Sequence, residues 1–431
     1  MLLVDTALAR RAAADRPIQV GLVGAGYMAR GLTLHVSRNL PGMRIAAIAN
    51  RTLDHAADAY RQAGFDAPQR VQSSAQLEQA IARRQPAICD DPQWLCEAES
   101  IDAIVEATGT IEPAAALALA AIDHGKHLIL MNAELDALIG PLLKRRADRA
   151  GVVVSNVDGD QPGVIMNLLR WVRSIGFEPR LAGNIKGLQD HHRTPTTQRD
   201  FAERHRQGVK MITSFADGTK IAMEMAVVAN ATGFKVATRG MQGPTAQHVT
   251  EAPARFSSAQ LAQGSVDYLL GAEPGPGVFV IGYSDEPILQ QYSHYLKLGN
   301  GPYYTFYVPY HLPHLEAPLT VARAVLFGDA AVTPRGAPVV EVITYAKRHL
   351  QAGERLDGIG GYTIYGVAEN RATCRHERLL PMALAEGCRL RRPIECDQSI
   401  RFDDVMIPPQ RLTDRLWAEQ QALFKGDEDV T

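Results

Sequence analysis

The sequence predicts an α/β chain. It opens with a doubly wound sheet, continues into an α+β segment and ends in a small β-rich module. Three observations carry that prediction. A glycine turn, Gly24-x-Gly26-x-x-Ala29, joins an apolar run to a helix-like segment. Apolar runs and helical segments then alternate in β-α-β-α order as far as residue 155. Near the C-terminus, Gly-rich turns separate short apolar runs. Alternation of the second kind belongs to parallel sheets, and spacing of the third kind to small β modules.

The opening segment, MLLVDTALARRAAADRP, reads as a short amphipathic helix; its arginines and broken apolar run do not make a signal peptide. Residues 18–23 form the first strand, short and of buried type. A helix over 27–38 follows and ends at Pro41-Gly42. MRIAAIA, residues 43–49, is a second strand of parallel-sheet character. LDHAADAYRQAG is then a helix stopped by Gly64. Residues 72–100 are expected to hold one helix, SAQLEQAIARR, and a loop with Trp94 and Cys96. IDAIV, residues 101–105, is a strand leading into Glu106-Ala107-Thr108-Gly109. An Ala-rich helix, a strand over 127–131, a turn at Asn132, a helix over 138–150 and a strand over 152–155 complete the series.

In this setting the glycine turn acquires a ligand. Gly24 and Gly26 let the backbone approach a pyrophosphate, and the helix that opens with Tyr27 and Met28 turns its first amides toward it. The end of the second strand selects the cofactor. NAD sites place Asp or Glu there for the ribose hydroxyls; this chain has Asn50 and Arg51. A guanidinium suits a 2′-phosphate by charge and paired donors, so NADP is favoured over NAD. The plainer reading makes Arg51 a solvated loop residue. Thr108 and Gly109 should lie along the nicotinamide side, with Asn132 at the next strand end.

The 431 residues are 46% hydrophobic and 21% charged, enough for two or three globular domains. A net charge of −2 gives no basic surface for nucleic acid or anionic membrane. No run of about 18 apolar residues suggests a membrane span. Five scattered cysteines without a C-x-x-C pair argue against disulfides and structural zinc, and for free thiols in a cytoplasmic protein.

HGKHLILMNAELDALIGPLLKRRAD, GNIKG, MAVVANATGFKVATRGMQGP, GPGVFVIG and GPYYTFYVPYHLPHLEAPLTVARAVLFGD together cover much of the chain. They resemble homoserine dehydrogenase-like NAD(P)-dependent oxidoreductases, in the subgroup that includes deoxyxylulose-phosphate reductoisomerase-like enzymes. The segment from RLDGIGGYTIYG to FDDVMIP is similar to an SAF domain. True homoserine dehydrogenases carry Asn-Lys after the strand ending at Met131, and the reductoisomerases resemble Asn-Lys-Glu. This chain reads Asn132-Ala133-Glu134, so neither substrate is implied directly.

Four clusters are candidates for chemistry. Asn132, Glu134 and Asp136 lie just past a strand end, where doubly wound sheets bind ligands; capping is the alternative. Asp158 and Asp160 flank Gly159 and resemble the Asp-x-Glu metal ligands of reductoisomerases, which would suit magnesium or manganese; a plain turn is the alternative. Residues 183–196 form the densest polar stretch. Lys186 there is a candidate proton relay, Asp190 an orienting or accepting group, and Arg193 a clamp for a carboxylate or phosphate; Glu134 would share the work of Asp190. The adjacent His191 and His192 would not point at one site. The aromatic run 302–314 is a packed strand and loop or a pocket cover, with His311 a wall and His314 a weaker candidate.

The expected organisation is a Rossmann domain over 1–157, a catalytic and oligomerisation domain over 158–340 and an SAF-like module over 350–410. The first domain could reclaim HLEAPLTVARAVLFG. The expected function is hydride transfer to or from a small polar, anionic carbonyl or hydroxyl compound by a homo-oligomer. Reductoisomerisation of a phosphorylated ketose and a non-catalytic NADP sensor are the alternatives.

Overall fold

The computed structural model describes residues 2–426. They fall into two compact units. Described residues up to Asp160, with Leu312–Thr333, make the first; Gln161–His311 and described residues from Pro334 onward make the second.

The first unit is built on one parallel sheet. Its strands are β1 Ile18–Val23, β2 Met43–Ala49, β3 Gln69–Arg70, β4 Ala87–Cys89, β5 Ala103–Glu106, β6 His127–Leu130 and β7 Val154–Asn156. Their spatial order is β3-β4-β2-β1-β5-β6-β7. The chain runs outward from β1 through β2, then restarts at β5 on the other side of β1. The topological switch therefore lies between β1 and β5, where such sheets bind ligands at their carboxyl ends. Val20, Leu22, Ile48 and Val105 are fully buried, as expected of strands covered on both faces. The short strand β4 interrupts residues 72–100, expected to hold only a helix and a loop, and β3 lies just before that stretch. With three and two residues, they are too brief to show a period.

The returning segment completes this core. Helix Pro313–Phe327 contributes Ala317, Val321, Ala322 and Ala324 to the cluster that holds Leu22, Leu32, Ile48 and Tyr60. Gly31 makes room for it: a Cβ there would lie 2.4 Å from His314 Cδ2. β7 is tied to the same segment, with the Asn156 amide donating to Val332 O at 3.0 Å.

The second unit holds a four-stranded sheet, β8 Glu178–Lys186, β9 Ser265–Leu270, β10 Gly277–Tyr283 and β11 Tyr303–Val308, in the order β11-β10-β8-β9. The aromatic run is thus mainly strand β11. Tyr304 and Phe306 pack on Phe177 at ring separations of 5.1 and 5.2 Å. Helix Thr219–Thr232 is buried along nearly its whole length. Residues 350–410 belong to this unit. Antiparallel pair β12 Val340–Ala346 and β13 Ile364–Asn370 packs Ile343 and Tyr365 against Leu379. A smaller pair, β14 Arg389–Leu390 and β15 Val405–Met406, precedes helix Leu412–Leu423.

The two glycines of the first turn differ in kind. Gly24 has φ +107°, and a Cβ there would lie 2.8 Å from Ala107 O, across the β1–β5 switch. Gly26 has φ −73°, and a Cβ would meet nothing within 4 Å. Gly24→Ala should therefore cost roughly 1–3 kcal/mol of stability, and Gly26→Ala less than about 0.5 kcal/mol. Denaturant unfolding of the two variants checks this.

Candidate functional site

The crevice at the carboxyl ends of β1 and β5 has the features a dinucleotide requires. The Gly24 amide is engaged by Ala49 O at 2.9 Å, so Gly24 shapes the turn. The donors left for a pyrophosphate are the first amides of helix Tyr27–Asn39, which an α-helix cannot satisfy internally. Gly26 and Tyr27 are exposed there and Met28 is half-buried. Past β2, Asn50 turns its side-chain amide onto Thr52 O at 2.7 Å. Arg51 is exposed, and no hydrogen bond or ion pair among the described residues engages its guanidinium. Thr108 is exposed and Gly109 has φ +65°.

Asn132 departs from its expected role. It is buried; its amide donates to Glu106 Oε2 at 2.8 Å and Thr110 O at 2.6 Å, and its oxygen caps helix Ala133–Ala150 through the Leu135 amide at 3.1 Å. Both of its N–H donors are engaged within the protein, so its side chain holds Glu106 and donates nothing to a cofactor. The cap also corrects the expected helix over 138–150, which begins five residues earlier. Glu134 and Asp136 consequently stand in its first turn, both buried. Desolvation pushes the Glu106 carboxyl up against the hydrogen bonds of Thr108 and Asn132, with the Glu134 charge adding to the rise. Asp136 is pushed up to about 6 by burial, opposed by the Asn156 amide at 2.9 Å.

Asp158 does not suit a metal. Its carboxylate accepts from Thr320 Oγ1 at 2.9 Å and pairs with Arg323 Nη1 at 3.2 Å, and its own amide donates to Thr320 Oγ1. Gly159, at φ +78°, lies so close to Leu312 that a Cβ would be 2.6 Å from its carbonyl oxygen. The Asp158–Gly159 stretch thus clasps helix Pro313–Phe327 to the sheet. A carboxylate already compensated by a guanidinium is a poor ligand for magnesium or manganese, and Asp160 is left half-buried beside it.

In the second unit, a polar group gathers at the end of β8. Lys186 is the last residue of this strand. Asn184 shares its strand face. The Asn184 amide donates to Gln161 and to Glu224 Oε2 at 3.0 Å, while its oxygen is buried without a partner. Lys186 is half-buried and donates to Phe215 O at 3.1 Å. Burial lowers its pKa; the carboxylates of Glu224 and Asp217 oppose the fall. Asp217 is fully buried and pairs with Lys347 at 2.9 Å. His191 Nδ1 donates to Asp217 O at 2.8 Å, and its ring stacks on Tyr365 at 4.5 Å.

Asp190 and Arg193 mainly clasp each other, Nε to Oδ2 at 2.9 Å. The His192 amide and this pairing hold the Asp190 carboxyl below the usual range. Asp190 is therefore an orienting group for its own loop and a weak proton acceptor. Lys186, Asn184, Gln161, Glu224 and Asp217 come together, whereas Asp190 and Arg193 form a separate pair. Glu224 does carry a sequence signal: it is a lone acid in the apolar helix TKIAMEMAVVANAT. Lys347 and Asp217 left none, being 130 residues apart.

Asp136 holds its proton more tightly folded than unfolded, because burial raises its carboxyl to about 6. Between about pH 4 and pH 6 the folded state carries the extra proton, so stability falls as pH rises through that window, by up to about 3 kcal/mol. Asp136→Asn should be more stable than the parent at pH 7 and lose that advantage at pH 4. Urea unfolding at both pH values tests the difference; Asp267, also raised to about 6 by burial, is common to both proteins.

Two stretches of the chain match known family models. Residues 21–151 match the family model for the homoserine dehydrogenase NAD-binding domain, and residues 159–317 that for the catalytic domain of oxidoreductase DRL. No curated protein matches the chain. A homoserine dehydrogenase structure from Thiobacillus denitrificans is 15% identical over 88% of this chain and 98% of that one, with a TM-score of 0.43. A probable dehydrogenase from Thermotoga maritima is 11% identical over 74% and 91%, at 0.42. The 1-deoxy-D-xylulose 5-phosphate reductoisomerase of Zymomonas mobilis, solved with NADPH, is 20% identical over 48% and 56%, at 0.34. No helix of the described residues is long and apolar enough to cross a membrane. The chain is an NAD(P)-dependent oxidoreductase in which a segment matching the homoserine dehydrogenase NAD-binding domain is followed by one matching the DRL catalytic domain.

Proposed function

We propose that this oxidoreductase prefers NADP and acts on a small polar, anionic carbonyl or hydroxyl compound, with Lys186 as the proton relay. The observation that carries the reading is the buried polar group around Lys186. It includes an unpartnered Asn184 oxygen and lies within the segment that matches a catalytic domain. Burial makes the Lys186 ammonium a better acid, while Glu224 and Asp217 keep it protonated enough to donate. Asn184 Oδ1 is an acceptor for a substrate hydroxyl. Arg193 has guanidinium donors beyond its Nε for an anionic end, and Asp190 orients it.

A bound nicotinamide would supply or take up the hydride. The fit of the first unit to such a cofactor rests on the open space at Gly26, the free amides of the following helix and the unengaged Arg51 guanidinium. Thr108 and Gly109 would border its nicotinamide side. Reductoisomerisation through a metal at Asp158 and Asp160 is the weaker reading, because Arg323 already compensates Asp158. Self-association is supported by exposed Ile288, Tyr292, Tyr295 and Leu296 in and just beyond helix Pro287–Tyr295.

Arg51→Asp should weaken NADPH binding by roughly 2–4 kcal/mol and NADH binding far less, since only NADPH carries the 2′-phosphate. Fluorescence titration with the two cofactors decides it; equal losses would remove Arg51 as the reader of that phosphate.

Lys186→Met keeps the side-chain length and removes the ammonium. It should lower kcat by about 10²- to 10⁴-fold with NADPH affinity little changed. The assay is NADPH oxidation against phosphorylated sugars, amino-acid semialdehydes and keto acids. Near-parental kcat in a folded variant would rule out the relay.

A further inference from the structure

Three side chains from distant parts of the sequence meet on the surface of the second unit. His192 Nε2 lies 3.1 and 3.2 Å from the two carboxylate oxygens of Asp397, and Cys396 Sγ lies 3.6 Å from the same nitrogen. All three residues are exposed, and among the described residues they are the one group of three or more His, Cys, Asp or Glu donors close enough to share an ion. From these contacts we infer a transition-metal site, with zinc its natural occupant.

The spacing supports this. Zinc bonds of about 2.3 Å to sulfur, 2.0–2.1 Å to imidazole and 2.0–2.2 Å to carboxylate, spread tetrahedrally, set N···S near about 3.6 Å and N···O near about 3.4 Å. The observed separations lie within a few tenths of an ångström of both. The donor set is also selective. Thiolate and imidazole favour zinc over magnesium or calcium, which prefer all-oxygen ligands. Three protein donors leave the fourth tetrahedral position to water. Asp397 is held from behind by the Tyr365 hydroxyl at 2.9 Å, the kind of outer contact that orients a metal-binding carboxylate.

This site is independent of the reaction proposed above, but it is well placed to affect it. Cys396 donates to Lys347 O at 3.5 Å, and Lys347 forms the buried pair with Asp217. His192 follows His191, which contacts the Asp217 carbonyl. A bound ion would clip the 190–193 loop to the 396–397 turn. The sequence offered no motif because the ligands lie 204 and 205 residues apart.

Untagged protein, stripped with chelator and reduced, is titrated with cobalt(II) and then with zinc(II). The expected result is one equivalent of cobalt, a thiolate-to-cobalt charge-transfer band and displacement by zinc. The other four cysteines are buried, so that band reports Cys396. Cys396→Ser should abolish the band. His192→Ala should weaken zinc binding at least about tenfold in competition with a chromophoric chelator. Zinc should raise the Tm of the parent and that of both variants clearly less. Circular dichroism confirms that the variants fold, which their surface positions favour. A parent without the band, or variants that bind zinc as the parent does, would overturn the site.

Discussion

The second unit depends on one buried ion pair. Asp217 and Lys347 are both removed from solvent, and charges in such a place must be fully compensated or they destabilise the fold. Here they are. Lys347 gives its three protons to Asp217 Oδ2, Arg193 O and Gly361 O at 2.9, 2.8 and 2.7 Å. Asp217 also accepts the Thr219 amide at 2.9 Å, fixing the start of the helix that carries Glu224. One pair thereby joins the polar loop, the buried helix and the C-terminal β-rich portion. Removing one partner of such a pair costs about 3–5 kcal/mol, because the other charge is stranded.

The first unit solves a related problem with carboxylates. Glu106, Glu134 and Asp136 are buried near the ends of the strands that follow the switch point. Desolvation is the main upward push on Glu106 and Asp136, and the charge of Glu134 adds to it at Glu106. Hydrogen bonds from Thr108, Asn132 and Asn156 oppose it. The residues that seemed to await a ligand are therefore largely the framework that shapes the crevice. The parts left open are backbone amides, Arg51 and the space above Gly26.

The order of strands and helices in the first unit was legible because parallel strands are apolar on both faces and helices between them repeat every 3.6 residues. The glycine turn was legible because Gly24 must take a positive φ beside Ala107. Strands β3 and β4 were hidden by their brevity. The candidate site was half legible. Lys186 stood out by its glycine neighbours, but the carboxylates that act on it, Glu224 and Asp217, belong to separate elements that only the folded chain brings together. Asp158 misled because two acids beside a glycine look alike in a turn and in a metal site. Arg323, which decides between them, is 165 residues away.

A unit made from two stretches of chain has a history as well as a shape. Residues up to Asp160 supply all seven strands of its sheet, but helix Pro313–Phe327, with four residues of its core, is translated much later. At about 5–20 residues per second, the ribosome needs on the order of ten to thirty seconds to bridge that gap. Throughout that interval Leu22, Leu32 and Ile48 lack part of their cover, while the intervening residues of the other unit are already emerging. The nascent sheet must either wait for its helix or be shielded by a chaperone, and a gene truncated after codon 160 would leave that apolar face open for good.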